Sequence, residues 1–261
     1  MNIQQYYEKT ASISLNASMA SLVPPFFLIV YGIIIAPQGK MVFIVLPFLL
    51  YSFICYQFYL INDKRAKEIT ENHIDDKTSI LLKKDSVLIT FMPAPSLRML
   101  LFDPEGQLVG EIKDMKFWSI RWVMPYFLDK LFKRKYGLYD ETNGLIAIFI
   151  VKNNRIEILD SEGILKSSII QKPSQKRSEF IFQKKGKRIT VERSLLFMDY
   201  RFFKGDRIKA GRLRKGLMPL EWGKRFKDAN TPVMSFEQDL EGEDRVEIFA
   251  ILTKLFHYTN H

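Results

Sequence analysis

Two uncharged apolar blocks open the chain, and a long series of short, alternating segments follows them. No charged residue stands between Lys9 and Lys40, nor between Lys40 and Asp63. Ser18 to Ala36 (SMASLVPPFFLIVYGIIIA) is long enough, at 1.5 Å rise per residue, to cross a hydrocarbon layer of ~30 Å as a helix. Met41 to Ile61 (MVFIVLPFLLYSFICYQFYLI) is a second block of spanning length. Pro24 and Pro25 lack amide donors, so the regular part of the first helix is expected to begin near Pro25. APQGK between the blocks reads as the tight turn of an antiparallel helical hairpin. A cleaved signal peptide fits poorly, because the first apolar run starts late and lacks a basic n-region.

Basic residues near the helix ends set an expected orientation. Asp63-Lys64-Arg65-Ala66-Lys67 follows the second block and only Lys40 lies in the turn, so both the N-terminus and the large C-terminal part are expected on the cytoplasmic side. The implied localisation is the cell membrane, as a multi-pass protein. The expected organisation is an N-terminal cytoplasmic segment 1–17, a transmembrane hairpin 18–61, a helical connector 62–76 and a cytoplasmic β-domain 77–261.

Beyond Asp76 the apolar period shortens and turn signals recur about every ten residues, as in an all-β domain. Leu97–Asp103 and Gln107–Ile112 flank Pro104-Glu105-Gly106. Leu138–Asp140 and Leu145–Val151 flank Glu141–Gly144. Arg155–Asp160 and Ile164–Ile170 flank Ser161–Gly163. Two further hairpins turn at Lys184-Lys185-Gly186 and Lys204-Gly205-Asp206, so at least ten strands are expected. No helices alternate with them, which favours a closed antiparallel barrel or a sandwich over a parallel sheet. The last segment, Glu243 to Tyr258, is apolar almost all round a helical wheel and too short for a bilayer crossing. Such a helix is buried, and the barrel interior is the expected place.

Units of the form apolar-Asp, two or three residues, Gly, apolar occur at LLFDPEGQLVGEI, YGLYDETNGLIAIF and IEILDSEGILKSS and precede that terminal helix. Over roughly Ser86 to His257 the chain thus resembles the tubby C-terminal-like superfamily, which includes LURP-one-related and phospholipid-scramblase-like proteins. The resemblance implies a twelve-stranded barrel around a central helix and, in some members, binding of phosphoinositide or other membrane lipid. The expected fold class is therefore a membrane-anchored α+β protein: a transmembrane helical hairpin followed by a tubby-like antiparallel β-barrel with a buried C-terminal helix.

Charge then bears on partners. Lys and Arg number 39 against 29 Asp and Glu, for a net charge of +10, and nearly all of this excess lies after Asn62. A basic domain beside the inner leaflet meets anionic lipid, where each cation near the surface contributes ~1 kcal/mol. FWSIRWVMPYFLDKLFKRK, residues 117–135, interleaves aromatic and basic side chains in the manner of a headgroup-layer contact. Lys116, Trp118, Arg121, Trp122, Lys130, Lys133, Arg134 and Lys135 are the candidate lipid-binding residues. Packing of these rings against the barrel is the competing reading, and stacking on nucleic acid ranks below both.

Catalytic signals are few. His257 and His261 stand four apart at the C-terminus without a Glu or third ligand. Asp239, Glu241, Glu243 and Asp244 lack the order of a calcium loop and suit the N-terminus of the last helix. No phosphate-cradling Gly-rich loop, nucleophile elbow or Cys-x-x-Cys occurs, and Cys55 lies alone in the second apolar block. The reading is a non-catalytic binding protein without cofactor or metal, with membrane, anionic lipid or a membrane protein as partner and no nucleic acid. A pleckstrin-homology-like module on the same anchor, or a lipid scramblase, are the alternatives. The Lys/Ile/Phe-rich composition and compact layout read as bacterial.

Overall fold

The computed structural model describes residues 1–35, 41–69, 81–94, 96–115, 134–172, 177–182, 187–194, 199–205, 208–216 and 218–257. The chain forms two compact units, Met1–His73 and Ile74–His261.

The first unit holds α1 (Ile3–Ser21), α2 (Val23–Ile35) and α3 (Met41–Lys67). Asn2 starts α1 with a capping box: its side chain accepts from Gln5 N at 2.8 Å, and the Gln5 side chain accepts from Asn2 N at 3.1 Å. Helix therefore begins well ahead of Ser18, where the apolar block begins. The proline pair disturbs only Leu22, since α2 resumes at Val23. Pro24 and Pro25 fall in the first turn of α2, where amides have no intrahelical acceptor anyway. Pro47 lies inside α3. At its far end α3 runs through the first part of the expected connector, whose remainder from residue 70 lies outside the described residues.

The packing of this unit inverts that of a water-soluble helix pair. Tyr7, Thr10, Ala11 and Ser18 of α1 are buried, as are Val45, Ser52, Cys55, Asn62 and Ala66 of α3, most of them three, four or seven residues apart and so on one face of each helix. Ser18 Oγ and Ser52 Oγ lie 3.0 Å apart, and the Arg65 guanidinium stands 5.8 Å from the Tyr7 ring centroid. These pairings require α1 and α3 to run antiparallel. Phe26, Phe43 and Phe53 point outward, 64%, 77% and 60% exposed. Small and polar side chains inside with large apolar ones outside is how helices pack in lipid, where close backbone approach rather than apolar burial drives association. Ile3–Tyr31 and Phe43–Lys67 are each long and apolar enough to span a membrane.

The second unit is a closed antiparallel barrel. Its strands are β1 (Ser86–Phe91), β2 (Arg98–Phe102), β3 (Leu108–Asp114), β4 (Arg134–Asp140), β5 (Leu145–Lys152), β6 (Arg155–Asp160), β7 (Leu165–Lys172), β8 (Arg177–Phe182), β9 (Arg188–Arg193), β10 (Asp199–Lys204), β11 (Ile208–Arg214) and β12 (Val233–Phe236). Each pairs with its neighbours in sequence, and β12 closes on β1 through Val87↔Met234. All five expected hairpins are present.

The three Asp-containing hairpins share one design. Asp103, Asp140 and Asp160 each accept, through Oδ1, from the amide four residues on, at 2.9, 2.6 and 2.8 Å. Each also precedes a left-handed residue, Gly106, Asn143 or Gly163. In the middle turn that conformation falls on Asn143 and not on Gly144. Gly144 is required there for space, because a Cβ would come within 2.7 Å of Asp140 Oδ2. Asp140 also accepts from the Thr142 amide at 2.9 Å and its hydroxyl at 2.7 Å. Asp140→Ala is expected to lower stability by about 2 kcal/mol, with Asp140→Asn milder, as measured by urea unfolding.

The terminal helix, α4 (Gly242–His257), threads the barrel. Ile248, Phe249, Ala250, Ile251 and Leu252 are fully buried and join one core with the inward strand residues, Tyr136, Phe149, Phe180 and Phe202 among them. Leu88 of β1 and Leu100 and Phe102 of β2 are buried on the outer face as well, where the Phe226 ring lies 6.2 Å from that of Phe102.

Candidate functional site

Antiparallel strands alternate in direction, so the connections that follow even-numbered strands gather at one mouth of the barrel and those that follow odd-numbered strands at the other. α4 identifies both ends. Its first turns meet Lys187 and Lys204 at the even mouth, where Lys187 Nζ donates to both Asp244 and Glu247 and Lys204 Nζ donates to Asp244 Oδ2 at 2.8 Å. Burial by itself would raise the Asp244 carboxyl, but the hydrogen bonds from Lys187 and Lys204 outweigh it and hold the group below its ordinary value. At the odd mouth, the Lys254 ammonium donates to the carbonyl of Asn153 in the β5–β6 turn.

The two mouths differ in charge. Turns after β2, β4 and β6 carry Asp103 with Glu105, Asp140 with Glu141, and Asp160 with Glu162. Strands meeting the odd mouth end on cations instead: Lys152 and Arg155, Lys172 and Arg177, Arg193, Arg214 and Lys215. Among the described residues, Asp114, Glu192 and Asp199 are the acidic residues at these strand ends, and Glu221 and Asp228 lie in the connection after β11. Asp199 is satisfied on the outer face of the barrel, accepting from both Arg212 Nε and Nη2 at 2.8 and 2.6 Å. Those hydrogen bonds are the main reason its carboxyl lies low.

Of the candidate lipid-binding residues, Lys116, Trp118, Arg121, Trp122, Lys130 and Lys133 lie outside the described residues. Asp114 ends β3 and Arg134 opens β4, both at the odd mouth, so the segment joining them leaves from and returns to the basic end. Arg134 sits opposite Val151 of the core, and residues directly opposite share a face; its side chain therefore points into the lumen and is 3% exposed. Lys135 points outward and is half-buried.

Lys215 and Lys254 were not among those candidates. The Lys215 ammonium lies 4.9 Å from the Phe256 ring centroid, and burial lowers its pKa. Burial pushes Lys254 down to about 8. The signal for Lys254 was present in the sequence, as a lone cation in an otherwise apolar turn. For Lys215 the sequence shows a basic cluster with Arg212 and Arg214 but not the contact, which is with Phe256, 41 positions away.

No family model matches the chain, and no curated protein matches it. One solved structure, described as the X-ray structure of a protein from Arabidopsis thaliana, is similar over 65% of this chain and 90% of its own, with 12% sequence identity and a TM-score of 0.42.

Proposed function

We propose that the protein is a membrane-anchored, non-catalytic binding protein of the tubby-like type, whose barrel engages anionic phospholipid through its odd, basic mouth. The observation that carries this reading is the gathering of strand-end cations at the mouth from which segment 116–133 departs. Aromatic rings and cations in that segment suit the headgroup layer, and Lys or Arg beside anionic lipid each contribute ~1 kcal/mol. The inverted polarity of the hairpin supports anchoring by α1–α3. Lys64, Arg65 and Lys67 at the end of α3 favour a cytoplasmic barrel. Closure of all twelve strands into one barrel favours this reading over a pleckstrin-homology-like module, which needs about half of them.

Tryptophan fluorescence tests it, since Trp118 and Trp122 lie in the candidate segment and Trp222 is the third in the chain. The full chain is reconstituted in vesicles of neutral or part-anionic phospholipid doped with headgroup-depth quencher. Quenching is expected to be stronger with anionic lipid and to fall as salt rises, because added ions screen surface charge within ~10 Å at 0.1 M. Equal quenching in both vesicles at every salt concentration would remove the lipid-binding reading.

A further inference from the structure

A recess opens at the opposite, even mouth. The first turns of α4 form one wall with Glu243, Val246 and Glu247; β5, β6 and β7 form the other with Ile146, Ile158, Asp160 and Lys166, among others. It encloses about 320 Å³, within the size range of sites that bury a small ligand or an anchoring side chain. A β-bulge between Ile158 and Leu159 lies in its wall, where it breaks the regular pairing of β6 with β7. Ala147 and Ile158 are its buried apolar lining, each 4% exposed, with Ile146 and Val246 beside them.

Charge around the recess has one dominant sign. Asp160, Glu243 and Glu247 line it, and Glu141 and Glu162 stand exposed on the two neighbouring turns. Lys187 and Lys204 are already engaged by Asp244 and Glu247. Lys166 is the cation at the rim. It is 65% exposed and 3.3 Å from Asp160 Oδ2, so it occupies in a loose, solvent-exposed way the position a ligand's positive charge would take.

We propose that this cleft docks a segment of a partner protein in which an apolar residue adjoins a Lys or Arg. The apolar side chain rests on Ile146, Ile158 and Val246, and the cation meets Glu243 and Asp160 in place of Lys166. Such an anchor-plus-charge arrangement concentrates affinity in the apolar contact and selectivity in the charge. An anionic segment is rejected by the same carboxylates. The site stands independently of lipid binding, since it lies at the opposite mouth and uses none of the same residues.

The test uses the full chain in neutral-lipid nanodiscs and two fluorescent peptides, acetyl-Leu-Arg-Leu-amide and its Leu-Glu-Leu counterpart, followed by anisotropy. The basic peptide is expected to bind saturably and at least tenfold more tightly than the acidic one. Val246→Trp, which fills the recess, and the gentler Glu243→Gln should each weaken it about tenfold or more, whereas Lys166→Gln should tighten it. Tryptophan quenching by anionic vesicles should be the same in Glu243→Gln as in the parent, which separates this site from the lipid-facing mouth. Absence of binding, equal binding of both peptides, or unchanged affinity in Val246→Trp and Glu243→Gln together would overturn the proposal. So would competition by a second copy of the chain, seen as dimerisation that excludes the peptide.

Discussion

Lys187→Met is expected to destabilise the barrel by about 3–5 kcal/mol at pH 7, the range seen when one partner of a buried ion pair is removed. The side chain is 14% exposed and lies between Asp244 and Glu247, whose side chains are 4% and 5% exposed. Without it Glu247 loses that cation and faces Asp244 as a like charge at short range. The pH dependence gives the prediction a sign. In the parent, Asp244 has a lowered pKa, so its ionised form contributes stability above the ordinary carboxyl range that is lost as pH falls through the lowered value. In the variant both buried carboxyls lose a cation while Asp244 keeps Lys204, so burial weighs more against their ionised forms, and the deficit should shrink as pH falls toward 4. Thermal unfolding of both proteins from pH 4 to 8 measures this. A deficit that stays constant across the range would mean that packing, and not the ion cluster, accounts for the loss.

Lys254→Met should have the opposite effect, raising stability by about 3 kcal/mol at pH 7. Lys254 is 5% exposed, its ammonium meets the Asn153 carbonyl, and burial pushes its pKa down to about 8 from an ordinary value of 10.5. Below pH 8 it is charged in both folded and unfolded states, and its full desolvation cost weighs on the fold. Between about 8 and 10.5 the unfolded chain holds the extra proton, so stability of the parent rises with pH across that window. The advantage of the variant should therefore be greatest at neutral pH and gone by about pH 10.5. Arg134, Lys215 and Asp114 reach the same mouth, and burial is the cause of the penalty that Met removes. Unfolding midpoints of the two proteins that run parallel from pH 7 to 10.5 would show that Lys254 is not desolvated.

The opposite signs of these two predictions follow from where each lysine meets its carboxylates. Both residues look alike in sequence, as cations near apolar runs. Lys187 lies at the mouth where α4 begins with Glu243, Asp244 and Glu247, so a partner is in place. Lys254 lies at the mouth where α4 ends, and no carboxylate accepts from it among the described residues.

Much of the barrel was legible in the chain because its causes are local. An Asp that bonds its own turn, a left-handed Gly or Asn, and flanking apolar strands define each hairpin at Asp103, Asp140 and Asp160 without reference to distant residues. The all-round apolar pattern from Val246 to Phe256 likewise admits only a buried helix. The two apolar blocks define a hairpin of spanning length by the same kind of counting. The start of α1 carries no apolar run, because apart from Ile3 the residues it buries, Tyr7, Thr10, Ala11 and Ser18, are small or polar.

Tertiary structure alone decided the rest. Number and order of strands became a closed barrel only when β12 met β1, a pairing across some 150 residues that no local pattern encodes. Strand direction then sorted the charges: odd and even connections went to opposite mouths, gathering cations at one and the Asp-Glu turns at the other. Pairing of Arg134 with Val151 turned a residue that reads as surface charge into a buried one. Charge pattern along a chain records how many cations there are; which of them share a mouth, and which lose their water, depends on the register of strands far apart in sequence.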